Sequence, residues 1–253
     1  MKALKFNLSG KTAFFKKPDV NTYTYFTYGN IHKIVLMGIV GGCLGLGGYN
    51  QQDKKDDYPE FYQKLKGLKV AIVPKNEGGY ISKKVQIFNN SVGYASKEEG
   101  GNLIVKEQWL ERPAWDIYIL LDESDICKEI EERFSKRKFV YIPYLGKNDH
   151  IANITNIQVI EDVDKKEIQD FNKIDSLFVK EDFEFIKDDM FDNFSFDDLE
   201  QEADFKYQEK LPYELELTTN QYILKTFIYT NMKVNKITDT KVYCIDDLNL
   251  NFI

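Results

Sequence analysis

The chain has few of the residues on which metal centres and disulfide frameworks depend. Its three cysteines, Cys43, Cys127 and Cys244, stand far apart without a C-x-x-C pair, and only His32 and His150 are histidines among 253 residues. This scarcity excludes a zinc finger, a disulfide scaffold and a multi-histidine metal centre. We expect a cytoplasmic protein that uses no metal and no cofactor.

Long apolar runs are also scarce. The N-terminal stretch MKALKFNLSGKTAFFKKP has neither the continuous apolar core nor the small-residue cleavage site of a signal peptide. One uncharged stretch, Ile34 to Tyr49, has only sixteen residues, six of them Gly, whereas a spanning helix needs about 20 apolar residues. The stretch therefore predicts a buried, closely packed helix, and we expect no membrane contact.

Charge is divided unevenly along the chain. Residues 1 to 115 carry 17 Lys+Arg and 10 Asp+Glu, whereas residues 116 to 253 carry 17 and 31. Asp19 is the single acid among the first fifty residues, and the segment 161–209 holds 18 acids against six Lys. The basic half favours contact with a polyanion such as RNA. The alternative is that the two halves neutralise each other.

The order of predicted elements indicates an α+β fold. The pattern β-α-β, an insertion, then β-α-β is typical of the ferredoxin-like, split βαβ arrangement and covers residues 1 to 145. Asn30 is the predicted N-cap of the first helix. The predicted strands are 3–15, 68–73, a pair over 107–121 broken at Pro113, and 139–142; the helices are 31–46, 58–66 and 123–137; the insertion is 75–106.

Residues 146 to 253 predict a smaller, antiparallel β-rich C-terminal subdomain. Strand patterns occur at 157–160, 214–217, 222–231 and 242–245. The acidic segment, about 161–209, lies between them and is spaced as a solvated face or a partner surface.

The opening FNLSGKTAFFKKPDVNTYTYFTYGNIHKIVLMGIVGGCLGLGGY resembles that of the CRISPR-associated Cas-five family, of the RAMP superfamily. The resemblance continues through FYQKLKGLKVAIVP, IFNNSVGYAS, NLIVKEQWLERPAWDIYI and IPYLGKNDHIANI, and is greatest to the type I-B subgroup. It implies a ferredoxin-like, RRM-related domain in which the insertion 75–106 is a thumb. It also implies a subunit of the type I Cascade interference complex, in antiviral defence.

In that family the subunit holds the 5′ handle of the crRNA, caps the backbone and contacts the backbone subunit and the large subunit. Target DNA would be met only through the assembled complex. Handles are held by phosphate contacts, hydrogen bonds and stacking. The residues that we expect at the RNA are Asn7, Lys11, Lys16, Lys17, Asn21, Tyr25, Thr27, Tyr28, Asn30, His32, Lys33, Lys83, Lys84, Asn89, Asn90 and Lys147.

Two other functions remain open at the level of sequence. Some members of the family cut the repeat RNA, and His32 with Tyr28 and Lys33 has the residue types for metal-independent cleavage. His32 lies in an apolar helix, however, so we expect a non-catalytic protein. The second alternative is a protein-interaction adaptor that works through the acidic C-terminal half.

Overall fold

A computed structural model describes residues 1–19, 23–161, 163, 171–186 and 203–253 of the chain. The predicted RNA contact Asn21 lies outside these residues, as do residues 162, 164–170 and 187–202 of the acidic segment. The described helices and strands are β1 Lys2–Gly10, β2 Thr12–Ala13, α1 Lys33–Leu44, α2 Glu60–Leu65, β3 Val70–Pro74, β4 Lys83–Asn89, β5 Ile104–Glu111, β6 Ala114–Leu121, α3 Asp125–Ser135, β7 Ala152–Ile160, β8 Phe178–Val179, β9 Phe183–Phe185, β10 Lys206–Leu215, β11 Tyr222–Thr230, β12 Val234–Lys236, β13 Val242–Ile245 and β14 Leu248–Asn251. Short 3-10 turns occupy Tyr49–Gln51, Glu77–Gly79, Ala95–Lys97 and Lys180–Asp182.

Four antiparallel strands form the central sheet in the order β3-β6-β1-β7. Helices α1 and α2 connect β1 to β3, and α3 connects β6 to β7. Leu4, Phe6 and Leu8 on β1 point into the main core, because alternate residues of a strand face one side of the sheet. This is the ferredoxin-like arrangement, and the predicted α+β fold class is confirmed.

The last strand of this sheet differs from the prediction. The apolar run 139–142 is not a strand, because the amides of Val140 and Tyr141 donate to the carbonyls of Cys43 and Gly42 at the end of α1. The run thus satisfies the open C-terminus of that helix. Strand β7 takes the edge position instead and extends the sheet beyond residue 145, the predicted domain boundary.

Helix α1 is buried on almost every side, as its composition predicts. A Cβ placed on Gly41 would come within 2.7 Å of the Phe61 side chain, so the missing side chain allows α1 and α2 to pack closely. His32, rather than the predicted Asn30, is the N-cap of α1. No helix among the described residues is long and apolar enough to cross a membrane.

The insertion forms a hairpin. Strands β4 and β5 pair over their whole length, and β5 also pairs with β2, so that the hairpin starts from the end of the central sheet.

The C-terminal β structure packs on both sides of the central sheet. Strand β10 contacts α1 on the helical side, while Ile245 and Leu250 of the β13–β14 hairpin pack with Ala3 and Tyr118 on the opposite face. The face that RNA-recognition domains use for stacking is therefore covered here.

Asn30 ties the start of α1 to the core instead of capping the helix. Its side chain is fully buried. Its Nδ2 donates to the Gly79 carbonyl at 2.9 Å, and its Oδ1 accepts from Trp115 Nε1 at 2.8 Å. A side chain used in this way is a structural element of the fold.

We expect Asn30→Ala to lower the free energy of unfolding by about 1 to 3 kcal/mol, because Trp115 Nε1–H and the Gly79 carbonyl would remain buried without partners. Asn90→Ala is the matched control, since Asn90 is exposed on the hairpin and should change stability by at most about 0.5 kcal/mol. Urea unfolding followed by tryptophan fluorescence measures both. Equal midpoints for the two variants would contradict the structural role.

Candidate nucleic-acid interface

A cleft of about 440 Å³ opens where the segment after β2, the start of α1, strand β5 and the start of β11 meet. This volume is within the range of pockets that hold a small ligand, about 300 to 1,000 Å³. The cleft combines rings, cations and one buried acid. Its lining residues are Phe14, Phe15, Lys16, Tyr25, His32, Val35, Glu107, Gly146, Lys147 and Tyr222.

The mouth of the cleft carries a cation stacked on a ring. Lys16 is exposed, and its Nζ lies 3.9 Å from the centroid of the Tyr25 ring. Backbone bonds fix both residues, because Lys16 pairs with Thr27 while the Tyr25 amide donates to the Lys106 carbonyl at 2.9 Å. The N-terminal segment is thus joined to β5 of the hairpin, which presents an ammonium group and an aromatic face together.

His32 forms part of the cleft wall as a neutral, buried side chain. Its Nδ1 accepts from the Val35 amide at the start of α1, and its ring meets Tyr28 and Tyr222 edge-on at 5.2 and 5.5 Å. Complete burial lowers the pKa of His32 to about 3, since the charged imidazolium would lose its hydration. The imidazolium form, which could act as a general acid, is therefore disfavoured at neutral pH.

Glu107 is the buried acid of the cleft. Lys147 Nζ lies 3.0 and 3.1 Å from its two oxygens, and Trp109 Nε1 donates to Oε2 at 2.8 Å. The pair joins β5 to the loop 144–150, the glycine-containing YLGKNDH motif. The ammonium and the indole together compensate for the burial of the carboxylate.

Gly146 allows this loop to approach the cleft. Its φ is +91°, and a Cβ placed there would come within 1.9 Å of the Phe14 carbonyl oxygen. Both facts favour glycine. Leu145 accepts from the Phe14 amide at 3.1 Å, which holds Lys147 next to the N-terminal segment.

Several of the predicted RNA contacts are engaged within the protein. Lys17 Nζ pairs with Glu209 at 3.0 Å. Lys33 is buried with its Nζ 5.0 Å from the Tyr213 ring, and burial lowers its pKa to about 8. Glu209 and Tyr213 belong to β10, so the second half of the chain covers these two lysines.

Neutral groups in the same tract are also used internally. Thr27 Oγ1 accepts from the Phe15 amide and donates to the Tyr28 carbonyl, and the Tyr28 side chain is buried, which raises the pKa of its hydroxyl. Asn7 lies on the sheet face opposite the helices, where it bonds to Asp116 and Asn156. Neither Asn7 nor Thr27 lines the cleft.

The hairpin residues are more accessible. Asn89 and Asn90 are exposed near its tip, and Lys84 pairs with Glu111 at 3.5 Å. Lys83 is half-buried near Glu209, and burial lowers its pKa. Of the predicted residues, the structure brings Lys16, Tyr25, His32 and Lys147 together in the cleft, and leaves Lys11 exposed on the turn between β1 and β2.

Sequence reasoning missed Glu107 and Tyr222 as cleft residues. Glu107 stands in a β-strand pattern, within the segment NLIVKEQWLERPAWDIYI, where nothing marks it as a site residue, and Tyr222 is about two hundred residues from the basic tract. Only the pairing of the N-terminal segment with β5 and the ring contact between Tyr222 and His32 bring them together. Among the described residues, no group of three or more His, Cys, Asp or Glu could hold a metal ion.

Neither protein-family models nor curated proteins give a match to this chain. Solved structures, by contrast, match this chain. A chain of a "CRISPR RNA-guided surveillance complex" superposes with a TM-score of 0.53 at 11% identity, covering 92% of this chain and 91% of that one. A CRISPR protein from Archaeoglobus fulgidus reaches 0.46 at 10% identity, covering 99% and 98%. A chain of the type III-B Cmr-beta complex bound to cognate target RNA and AMPPnP reaches 0.44 at 11%, covering 93% and 86%.

The fold is therefore that of a subunit found in an RNA-guided CRISPR complex. The superposition with the surveillance-complex chain covers nearly the whole length of both chains. At 11% identity this likeness concerns the fold alone.

Because His32 is buried, the free energy of unfolding should depend on pH in acid. An unfolded chain binds a proton at His32 below about pH 6.5, whereas the folded chain does so only near its pKa of about 3. The free energy of unfolding should therefore fall by about 1.4 kcal/mol per pH unit below 6.5.

His32→Asn keeps a capping acceptor but does not titrate, so about 2 kcal/mol of the loss between pH 6.5 and 5 should disappear. Urea midpoints at pH 7.5, 6 and 5 measure the difference. His150 is present in both proteins and cancels. If the free energy of unfolding depends on pH in the same way for both proteins, the pKa of His32 is the same in the folded and the unfolded chain, which would contradict its burial as a neutral ring.

Proposed function

We propose that the chain is the non-catalytic subunit that binds the crRNA 5′ handle in a type I Cascade interference complex, of the I-B kind. In this role it caps the backbone and contacts the large subunit. The observation that carries the proposal is the cleft, where Lys16 on Tyr25 stands beside the rings of Phe15 and Tyr222. The shared fold with a chain of a CRISPR RNA-guided surveillance complex supports it.

The chemistry of the cleft suits a single-stranded handle better than a duplex. Unstacked bases bind by lying on aromatic rings, and cations at the rim hold the phosphates. The cleft offers rings from two distant parts of the chain, and Lys16 and Lys11 are exposed on the same N-terminal tract. The covered face of the central sheet makes this cleft the better site for splayed nucleotides.

The state of the histidines supports a non-catalytic role. His32 is buried and its Nδ1 accepts the Val35 amide, so it is a poor proton donor at neutral pH. His150 is also buried, and its Nδ1 lies 2.7 Å from Thr12 Oγ1. Burial, followed by the charge of Lys147, lowers the pKa of His150. The alternative function, cleavage of repeat RNA, is tested by incubation with repeat RNA in EDTA, where a discrete product would favour the enzyme.

The other alternative is an adaptor that works through the acidic half. Glu209 binds Lys17 and the Gly29 amide, so part of that charge serves the fold. A pull-down of partner subunits without RNA tests whether the remaining charge binds protein.

The salt dependence of handle binding tests the proposal. Each phosphate contact to a single strand contributes about −0.7 to the slope of log K against log salt. Lys11→Gln with Lys16→Gln should therefore flatten the slope by about 1.4 and weaken binding to any handle sequence, because phosphate contacts do not specify bases. Fluorescence anisotropy from low to moderate salt provides the measurement.

The matched control is Lys54→Gln with Lys55→Gln, which removes the same charge from an exposed loop outside the cleft. It should keep the wild-type slope. If both double variants change the slope equally, only the net charge matters and the cleft is not the binding site.

A further inference from the structure

A carboxylate stands in the wall of a cleft whose mouth is cationic. Glu107 is 5% exposed and lines the cleft together with Phe15, Tyr25 and Tyr222. A phosphate placed against this wall would have to displace Glu107 from Lys147, whereas the exposed Lys16 would attract it at the mouth. A nucleotide in the cleft would therefore be oriented with its base inside and its phosphate outside.

The acceptor capacity of Glu107 is not exhausted by its partners. A carboxylate has about four lone-pair sites. Lys147 lies against both oxygens, and Trp109 occupies a site on Oε2. Oε1 has only Lys147 as a partner among the described residues and retains room for one more donor. Trp109 and Lys147 also hold the carboxylate in the cleft wall.

We propose that Glu107 selects the base that enters this cleft, and that it favours a base with an exocyclic amino group over uracil. This inference rests on the proposed function and names the nucleotide class that the site takes. Adenine, cytosine and guanine each present an amino group on their Watson–Crick edge, and a carboxylate accepts from such groups. Lys147 Nζ, beside the acceptor, donates to the neighbouring ring nitrogen or carbonyl of the same base.

Uracil fits this wall poorly. In the orientation that directs the exocyclic amino group of cytosine to Glu107 Oε1, uracil directs a carbonyl oxygen to the carboxylate instead. An acceptor opposed to an acceptor in a site with little water is unfavourable. The wall thus discriminates by repelling uracil as well as by attracting an amino group.

A purely structural role for the pair makes a different prediction. If the Glu107–Lys147 contact served only to join β5 to the loop 144–150, its loss would lower stability and weaken every RNA equally. Base selectivity is the readout that such a role would not change.

The experiment uses the full chain, a fluorescent RNA of the repeat-derived handle, and variants in which each amino-bearing nucleotide is replaced in turn by uridine. At the position whose base enters the cleft, replacement by uridine should lower the affinity of the wild-type protein about tenfold, as expected for one specific base contact. Glu107→Gln should lose less than about twofold there, because an amide offers a donor to a uracil carbonyl. Glu111→Gln, on the same strand, should behave as the wild type.

The outcomes separate this inference from the proposed function. Failure of the wild-type protein to bind the handle overturns the proposed function. Handle binding with the same uridine response in wild type and Glu107→Gln overturns the selection by Glu107 alone. If Glu107→Gln does not fold, the affinity of the wild-type protein is measured for handles that carry a base analogue without the amino group. Purine for adenine, hypoxanthine for guanine or 2-pyrimidinone for cytosine should cost about tenfold at that position, and an unchanged affinity overturns the inference.

Discussion

The contact between Glu209 and the N-terminal tract determines the shape of the candidate interface. Glu209 accepts from the Gly29 amide at 2.8 Å and from the Tyr207 hydroxyl at 2.6 Å, and it pairs with Lys17 at 3.0 Å. Strand β10 is thereby fixed against the segment that leads into α1. Because β11 pairs with β10, the same contact places Tyr222 beside His32 and completes the cleft wall.

This arrangement divides the basic charge of the first half between two uses. Lys17 and Lys33 are covered by β10 and help to join the halves, which agrees in part with mutual neutralisation. Lys11 and Lys16 remain exposed, and Lys16 lines the cleft. In the proposed function, charge at the rim would attract a strand, while apolar rings and one carboxylate would determine which base enters.

The fold was largely predictable because it depends on local patterns. Alternation and helical spacing indicated the βαββαβ order, and β13 matches its predicted range 242–245. The predicted strand at 139–142 was wrong, because backbone amides of this run cap the C-terminus of α1. Such a long-range contact leaves no local pattern in the sequence. The site was predictable only in part. Lysines and tyrosines of the tract were recognised as a group, but which of them are buried depends on β10, and Glu107 has no signal in sequence.

In the proposed function, the cleft beneath Lys16 and Tyr25 holds a handle base. Zero-length ultraviolet cross-linking of the full chain to handle RNA, with mass spectrometric assignment of the linked residues, can detect this contact. We expect adducts on Tyr25 and on Tyr222, which lie in different halves of the chain but line one cleft. Adducts confined to other exposed rings, such as Tyr94 at the hairpin tip or Tyr141 after α3, would contradict it.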